Sequence, residues 1–139
     1  MKTINLEDLF TEEREKEGVW FEPKIKGVPC GIEFLVTGRS TDENVAGGER
    51  YDKALNKLED ERDPIEKSKK QKELFANRVA EFVKGIRPVK GNELMYDGKP
   101  LEYSVPMIQK LLQQAPLITG QIFSFVTDTA NFMKREKNA

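Results

Sequence analysis

The chain of 139 residues has the length of one ordinary domain, and its apolar fraction of 37% is sufficient for one modest hydrophobic core. Charged residues make up 34% of the chain but nearly cancel to a net charge of -1, so no overall positive field attracts nucleic acid. Histidine is absent and cysteine occurs once, which excludes internal disulfides and catalytic arrangements that need an imidazole. We therefore expect a single domain over residues 1–139 that is not an enzyme and has no catalytic residues, cofactor or metal.

Membrane and export signals are the next features that the sequence lacks. No run approaches the roughly 20 apolar residues that a membrane-spanning helix needs. The opening stretch MKTINLEDLF has neither the apolar centre nor the cleavage site of a signal peptide. We expect a soluble intracellular protein that makes no contact with a membrane.

The first predicted element is a β-hairpin over residues 18–37, which follows a charged N-terminal arm, residues 1–17. Val19–Phe21 has the composition of a short strand, Pro23–Pro29 that of a turn, and Ile32–Val36 places apolar residues at alternate positions. The spacing therefore predicts two short strands joined by a turn.

Trp20 is the only tryptophan of the chain and the largest apolar side chain of this hairpin. We expect Trp20 and Phe34 to lie in the core, against helix residues such as Phe82 or Phe125. Cys30 precedes an apolar strand and is interpreted as a small buried residue rather than a reactive thiol.

From about Ser40 onward the chain is predicted to be helical, over residues 40–139. A narrow apolar stripe with helical spacing is formed by Tyr51, Ala54, Leu55 and Leu58. Gly47 and Gly48 lie before this stripe, without the Lys-Ser/Thr ending and the preceding strand of a phosphate-binding loop. We interpret these two glycines as a hinge between predicted elements or a helix boundary.

The next helix has a clear start, because Asp63 can accept hydrogen bonds from free backbone amides and Pro64 suits the first helical position. Its predicted apolar face consists of Phe75, Val79, Phe82, Val83 and Ile86. Pro88 ends this helical pattern.

The first turns of that helix carry a basic run, Lys67–Lys72, which is the best candidate in the sequence for contact with nucleic acid. Acidic residues precede the run, and it has no interleaved aromatic residues that could stack on bases. A solvated helix face is the favoured interpretation, and we do not expect nucleic acid as a partner.

Residues 88–103 no longer show helical spacing of apolar residues. Asp97-Gly98 suits a tight hairpin turn, so the sequence predicts a short ribbon or ordered loop there. Ser104 then caps a helix. The residues that share the apolar face of this helix are Ile108, Leu111, Leu112 and Ala115. Pro116 marks the break before a last helix.

The last helix is the most apolar segment of the chain. Its regular stripe consists of Ile118, Ile122, Phe125, Val126 and Phe132. Leu117, Phe123 and Met133 lie off that stripe. We interpret these three as candidate partner-binding residues, because an apolar surface wider than the core requires can contact another molecule. The overall expectation is a mainly α protein of the α+β class, a helical bundle with an N-terminal β-hairpin.

Several short motifs together resemble the small tail assembly chaperones of long-tailed (siphovirus-type) bacteriophages, in their short form. The shared features are Gly18–Trp20 entering a hairpin, the turn Asp97–Pro100, the cap Tyr103-Ser104, the pair Leu111-Leu112 and the closing Ala130–Phe132. The likeness extends over most of the chain and consists of spacing and short motifs.

The resemblance implies a non-catalytic role in tail assembly. Chaperones of this family bind the long, aggregation-prone tape measure protein, keep it soluble and then give way to tail tube protein. Many also exist in a longer form, made by translational frameshifting, whose extension contacts tail tube protein. The resemblance therefore implies a homo-oligomeric chaperone in the host cytoplasm that is absent from the mature virion.

Two alternatives follow from the same sequence. One is another small phage morphogenesis or virion structural protein, such as a head-tail joining or tail completion factor. The other, less favoured, is a nucleic-acid-binding adaptor that uses Lys67, Lys69, Lys70 and Lys72.

Overall fold

The chain folds into helices that pack on one face of a small antiparallel sheet. The computed structural model describes residues 2–134. The α-helices are α1 (Glu12–Glu17), α2 (Asp42–Leu58), α3 (Pro64–Ala80), α4 (Val105–Gln114) and α5 (Pro116–Thr127), with 3-10 helices at Leu6–Leu9 and Thr129–Phe132. The strands are β1 (Val19–Phe21), β2 (Lys24–Ile25), β3 (Val28–Pro29), β4 (Ile32–Val36), β5 (Val83–Pro88), β6 (Met95–Tyr96) and β7 (Lys99–Pro100). The predicted mainly helical α+β class is confirmed.

The predicted hairpin is present, and its two long arms are β1 and β4. They pair antiparallel, with Val19 opposite Val36 and Phe21 opposite Phe34. The predicted turn between them is itself a small ribbon of β2 and β3. Lys26 adopts a positive φ of 52° in the turn between these strands.

A strand that the sequence did not predict completes this sheet, since β5 pairs with β4 in the order β1-β4-β5. The prediction that α3 continues to Ile86 is wrong, because α3 ends at Ala80. Ile86 lies opposite Phe34, whereas Val83 lies opposite Val36 across an irregularity in the register. A β-bulge of this kind places residues three apart on one face of a strand, which imitates helical spacing.

The core lies between this sheet and helices α3, α4 and α5. Its buried apolar residues are Phe34, Val36, Ala76, Val79, Ala80, Phe82, Val83, Ile108, Leu112, Ile122, Val126 and Phe132. Phe34 is fully buried, as predicted. Phe132 is also buried, although it belongs to the 3-10 helix after α5 and not to a continuous helical stripe.

Trp20 lies on the opposite face of the sheet, so its predicted packing against the helices is wrong. Successive side chains of a strand point to opposite faces, and the neighbour Phe21 faces the helices and stacks on Phe125. The Trp20 ring is half-buried beneath the guanidinium of Arg87, whose central carbon is 3.8 Å from the ring centre. Gly85 lies beside this ring, and a Cβ there would be 3.3 Å from Leu35 Cβ and 3.4 Å from Trp20 Cη2.

Gly47 and Gly48 lie inside the uninterrupted helix α2. The prediction that they form a hinge or boundary between two elements is therefore wrong. Gly47 is buried where α2 crosses the end of α3. A Cβ on Gly47 would overlap the carboxylate of Glu81 and lie 2.7 Å from Arg78 Nη1. Close approach of two helices explains this glycine without any hinge motion.

The local start and turn signals were predicted correctly. Asp63 accepts hydrogen bonds from the backbone amides of the first turn of α3, and Ser104 accepts one from Met107 N at 3.2 Å. Asp97 and Gly98 form the turn between β6 and β7 with positive φ angles of 54° and 77°. Within residues 2–134, no helix combines the length and the apolar character required to cross a membrane.

The residues before the hairpin are anchored to the fold through α1. Arg14 donates a hydrogen bond to the backbone oxygen of Met133 at 2.8 Å, and Gly38 N donates one to Glu15 O at 2.8 Å. The Glu15 side chain is buried against Gly38, where any larger residue would overlap it. Asp8 is the first residue with a described side-chain contact to the rest of the fold, since its Oδ1 lies 3.7 Å from Lys134 Nζ.

Candidate partner-binding surface

Helix α5 is apolar on the side that faces the core and on part of the side that faces solvent. Ile122 and Val126 are fully buried, whereas Leu117 is 58% exposed. Since successive helical residues are rotated by about 100°, Leu117, Gly120 and residue 124 lie on the side away from the core. The most apolar helix of the chain thus has a second face that the core does not use.

That second face forms one wall of an open groove between α5 and the β-hairpin, which we call the α5 groove. Its volume is about 630 Å³, and its lining residues are Phe21, Pro116, Leu117, Gly120, Gln121, Ser124 and Phe125. Phe21 and Phe125 stack with ring centres 4.3 Å apart and form its aromatic base. Gly120 has no side chain, so nothing projects from the middle of α5 into the groove.

A side-chain clamp holds the two walls of the α5 groove together. Gln121 Nε2 donates to Lys24 O at 2.6 Å, and Gln121 Oε1 accepts from Lys24 N at 2.8 Å. The amide thus pairs with a strand residue as a neighbouring backbone would, which fixes the hairpin tip beside α5. Ile25 and Val28 of that tip are exposed next to the clamp.

The other two predicted partner-binding residues lie elsewhere. Phe123 packs edge-to-face on Phe75 of α3 with ring centres 5.2 Å apart, and it remains 36% exposed. It is six positions from Leu117, which places the two side chains about 120° apart around the helix axis. Met133 is half-buried and bonded through its backbone to Arg14. Leu117, Phe123 and Met133 therefore do not form one surface.

Sequence reasoning missed the residues that make the groove with Leu117. Phe125 was assigned to the core stripe of the last helix, and Phe21 to a strand whose facing side was not determined. The two lie 104 positions apart in the sequence and meet only in the fold. Gln121, whose amide spans the two walls, is an isolated polar residue with no sequence signal of its own.

A second exposed apolar surface is the segment of residues 4–10, which we call the apolar arm. Its exposed apolar residues are Ile4, Leu6, Leu9 and Phe10. Leu6, Leu9 and Phe10 are spaced i, i+3 and i+4, a signal that identifies one side of a helical turn. In the sequence this segment was predicted only as part of the N-terminal arm, residues 1–17.

The basic run of α3 has the geometry of a solvated helix face. Residues 68–72 are exposed, and Lys70 Nζ lies 3.1 Å from Glu61 Oε2. The hydrogen bond to Lys70 lowers the pKa of the Glu61 carboxyl, and the same contact raises the pKa of the Lys70 amine. Lys70 is thus bonded to a carboxylate, whereas Lys69 and Lys72 are exposed on the same face.

A buried polar network lies where α2, α3 and β4 meet. Asn44 Nδ2 donates to Thr37 Oγ1 at 2.9 Å and to Gly38 O at 2.6 Å, and Arg78 Nη2 donates to Asn44 O at 2.9 Å. Burial lowers the pKa of the Arg78 guanidinium, which also lies over the Phe82 ring at 4.3 Å. These hydrogen bonds hold the residues after β4 against the start of α2, and α2 against α3. We therefore assign the network a structural role.

Neither a search for metal-ligating side chains nor comparison with known proteins adds a functional assignment. Among residues 2–134 no three potential metal-ligating side chains come together. The chain was compared with protein-family models, curated proteins and solved structures, and it matches none of them. The functional interpretation therefore depends on the exposed apolar surfaces themselves.

Proposed function

We propose that this protein is a tail assembly chaperone of a long-tailed bacteriophage that binds the tape measure protein and keeps it soluble during tail morphogenesis. The observation that carries the proposal is the α5 groove. It is apolar, open to solvent and bordered by the exposed Lys24, and it lies on a helix whose other face belongs to the core. The role is non-catalytic.

An amphipathic helix is the ligand that suits such a groove. Helices of this kind insert apolar side chains at i, i+3, i+4 and i+7 into a groove and leave their polar side in water. Leu117 and the stacked rings of Phe21 and Phe125 offer apolar contacts, and the Gln121 clamp keeps the site formed before binding. A preformed site loses less conformational entropy when a partner binds.

The remaining parts of the proposal follow from the family resemblance. The protein acts as a homo-oligomer in the host cytoplasm, gives way to tail tube protein as the tube assembles, and is absent from the mature virion. Contact with tail tube protein would be made by the extension of a frameshifted longer form. Phe123 and Met133 remain secondary candidates for client contacts.

Co-expression with the tape measure protein tests the assignment. The parent chain should raise the soluble yield of that client, and Leu117→Asp should remove the effect, because a charge in the groove must be desolvated when the client binds. Ile65→Asp is the matched control, since Ile65 is 78% exposed and lies on α3, away from the groove. A parent chain without effect on the client would remove the chaperone assignment.

Two alternatives have their own tests. Mass spectrometry of purified virions should not find the protein; its presence there at stoichiometric amounts would favour a head-tail joining or tail completion factor. A nucleic-acid-binding adaptor would shift duplex DNA in a salt-dependent way and lose the shift on Lys69→Glu, Lys72→Glu. We favour the chaperone, because the α5 groove is lined mainly by apolar residues and includes none of these lysines.

A further inference from the structure

We propose that Gly120 determines which segments of the client the α5 groove accepts. Its lack of a side chain lets a large apolar residue of a client helix reach the backbone of α5, and Lys24 and Lys26 select a client helix that also carries an acidic residue. The inference rests on the proposed function, because it takes a helix of the tape measure protein as the occupant of the groove.

Glycine is an unfavourable residue at this position for the protein alone. Gly120 lies inside α5, several residues from either end of the helix. A glycine in a helix interior is less stable than an alanine, because it loses more conformational freedom on folding. Such a glycine therefore calls for a reason in packing or in function.

Neither the backbone conformation nor the packing of the fold supplies that reason. The φ angle of Gly120 is not positive, and a Cβ built on it would have no neighbouring atom within 4 Å. Residues 2–134 contain all ten glycines of the chain, and each of the other nine has a positive φ or would bring a Cβ within 3.4 Å of a neighbour. We conclude that the space above Gly120 is kept open for another molecule.

The open space lies in the α5 groove. Gly120 lines this groove between Leu117 and Ser124, and the three positions are spaced i, i+3 and i+7 along one side of the helix. Leu117 and the stacked rings of Phe21 and Phe125 supply the apolar surface of the same groove. A large apolar side chain that enters above Gly120 would therefore bury its surface against these groups while the client helix comes close to α5.

The charges around the groove favour an acidic client helix. Residues 18–31 contain two exposed lysines, Lys24 and Lys26, and one acidic residue, Glu22. The Glu22 carboxylate already accepts a hydrogen bond from Gly31 N at 2.8 Å. Helix α5 itself contains no charged residue. An acidic residue beside the apolar side of a client helix would therefore meet lysines at the hairpin tip and no carboxylate on α5.

Gly120→Ala tests the first part, because it should have opposite effects on folding and on binding. The melting temperature should rise by about 2 to 5 °C, since helix propensity increases and the added methyl group meets no neighbour. The probes for binding are overlapping peptides of about 25 residues that cover the tape measure protein, long enough for several helical turns. Their affinity, measured by fluorescence anisotropy, should fall about fivefold or more, because the methyl group occupies the space that the client side chain requires.

Ser68→Ala is the matched control. Ser68 is exposed on α3 and does not line the α5 groove, so the change should raise helix propensity and leave peptide affinity unchanged. A Gly120→Ala chain that binds the peptides as the parent does would overturn the inference and leave the proposed function intact. A Gly120→Ala chain with a lower melting temperature would also overturn it, because the fold itself would then require the glycine. A parent chain that binds no peptide would overturn both.

Charge reversal tests the second part. The peptides that the parent binds should carry Asp or Glu within one helical turn of a large apolar residue. Lys24→Glu, Lys26→Glu should weaken their binding about tenfold and shift the preference toward peptides with Lys or Arg at that place. The Gln121 clamp uses only backbone atoms of Lys24, so it should persist in this variant.

The control for charge is Lys69→Glu, Lys72→Glu, which changes the net charge equally on an exposed face of α3. This control should keep the peptide preference of the parent. Equal losses in the two charge variants, or an unchanged preference after reversal at the hairpin tip, would show that Lys24 and Lys26 do not select the client.

Discussion

The rings of Phe21 and Phe125 stack with their centres 4.3 Å apart and their planes inclined by 25°. This contact joins β1 to α5 and forms the base of the α5 groove. Removal of either ring would therefore change both the stability of the fold and the shape of the candidate site.

The first prediction concerns the coupling between these two rings. Phe21→Ala and Phe125→Ala should each destabilise the protein by about 2 to 4 kcal/mol, toward the lower part of the range for large-to-small changes because both rings are only partly buried. In a double-mutant cycle by urea denaturation, the coupling energy should be about 0.5 to 1.5 kcal/mol. Strictly additive losses would contradict a direct contact.

The second prediction separates the two faces of the sheet. Phe34→Ala should destabilise by about 3 to 5 kcal/mol because its ring is fully buried. Trp20→Ala should cost less, about 1 to 2 kcal/mol, since its half-buried ring lies on the outer face. Acrylamide should quench Trp20 fluorescence in the folded protein, and Arg87→Ala should increase the quenching by removing the guanidinium over the ring. Equal losses at Trp20 and Phe34 would place both in the core.

The third prediction compares two adjacent glycines of α2. Gly48→Ala should change stability little, because the higher helix propensity of alanine is offset by a Cβ 3.3 Å from Arg78 Nη2, which its bond to Asn44 O holds in place. Gly47→Ala should instead lower the melting temperature, since its Cβ would displace the Glu81 carboxylate from its ion pairs with Arg50 and Arg78. A stabilising Gly47→Ala would show that α2 and α3 pack less closely.

The fourth prediction concerns the ion pair of Glu61 and Lys70. The lowered pKa of Glu61 means that the pair favours the folded state above the ordinary glutamate pKa, and that this contribution is lost as the pH falls through the lowered folded-state value. The carboxyl titration followed by NMR should move back toward the ordinary pKa in Lys70→Gln. The effect on stability should be small, because both groups are exposed to solvent and salt. An unchanged Glu61 titration would mean that the pair does not form in solution.

Sequence reasoning succeeded where the signal is local. A helix start such as Asp63-Pro64 depends on backbone groups a few residues away, and the turn at Asp97-Gly98 depends on the φ angles of those two residues. It failed at β5, where the bulge beside Val36 gives a strand the spacing of a helix. Residues 83–88 form a strand because they pair with β4, which is about 50 positions away in the sequence.

The candidate site was predicted less well than the fold for the same reason. Leu117 was identified from its position off the core stripe, and it lies on the groove as an exposed apolar residue should. The facing wall comes from Phe21, and neither helical nor strand periodicity shows which distant element a face meets. The exposed side of α5 depends on where the β-hairpin packs on this helix. The Gln121 side chain helps to fix that position through its hydrogen bonds with the Lys24 backbone.

The bond between Arg14 and the backbone of Met133 joins α1 to the residues that follow the last 3-10 helix, across 119 positions of the sequence. Asp8 makes a second link to the same segment, since its Oδ1 lies 3.7 Å from Lys134 Nζ. Loss of the residues after Phe132 would therefore also release the segment that precedes the hairpin, although the two lie at opposite ends of the sequence.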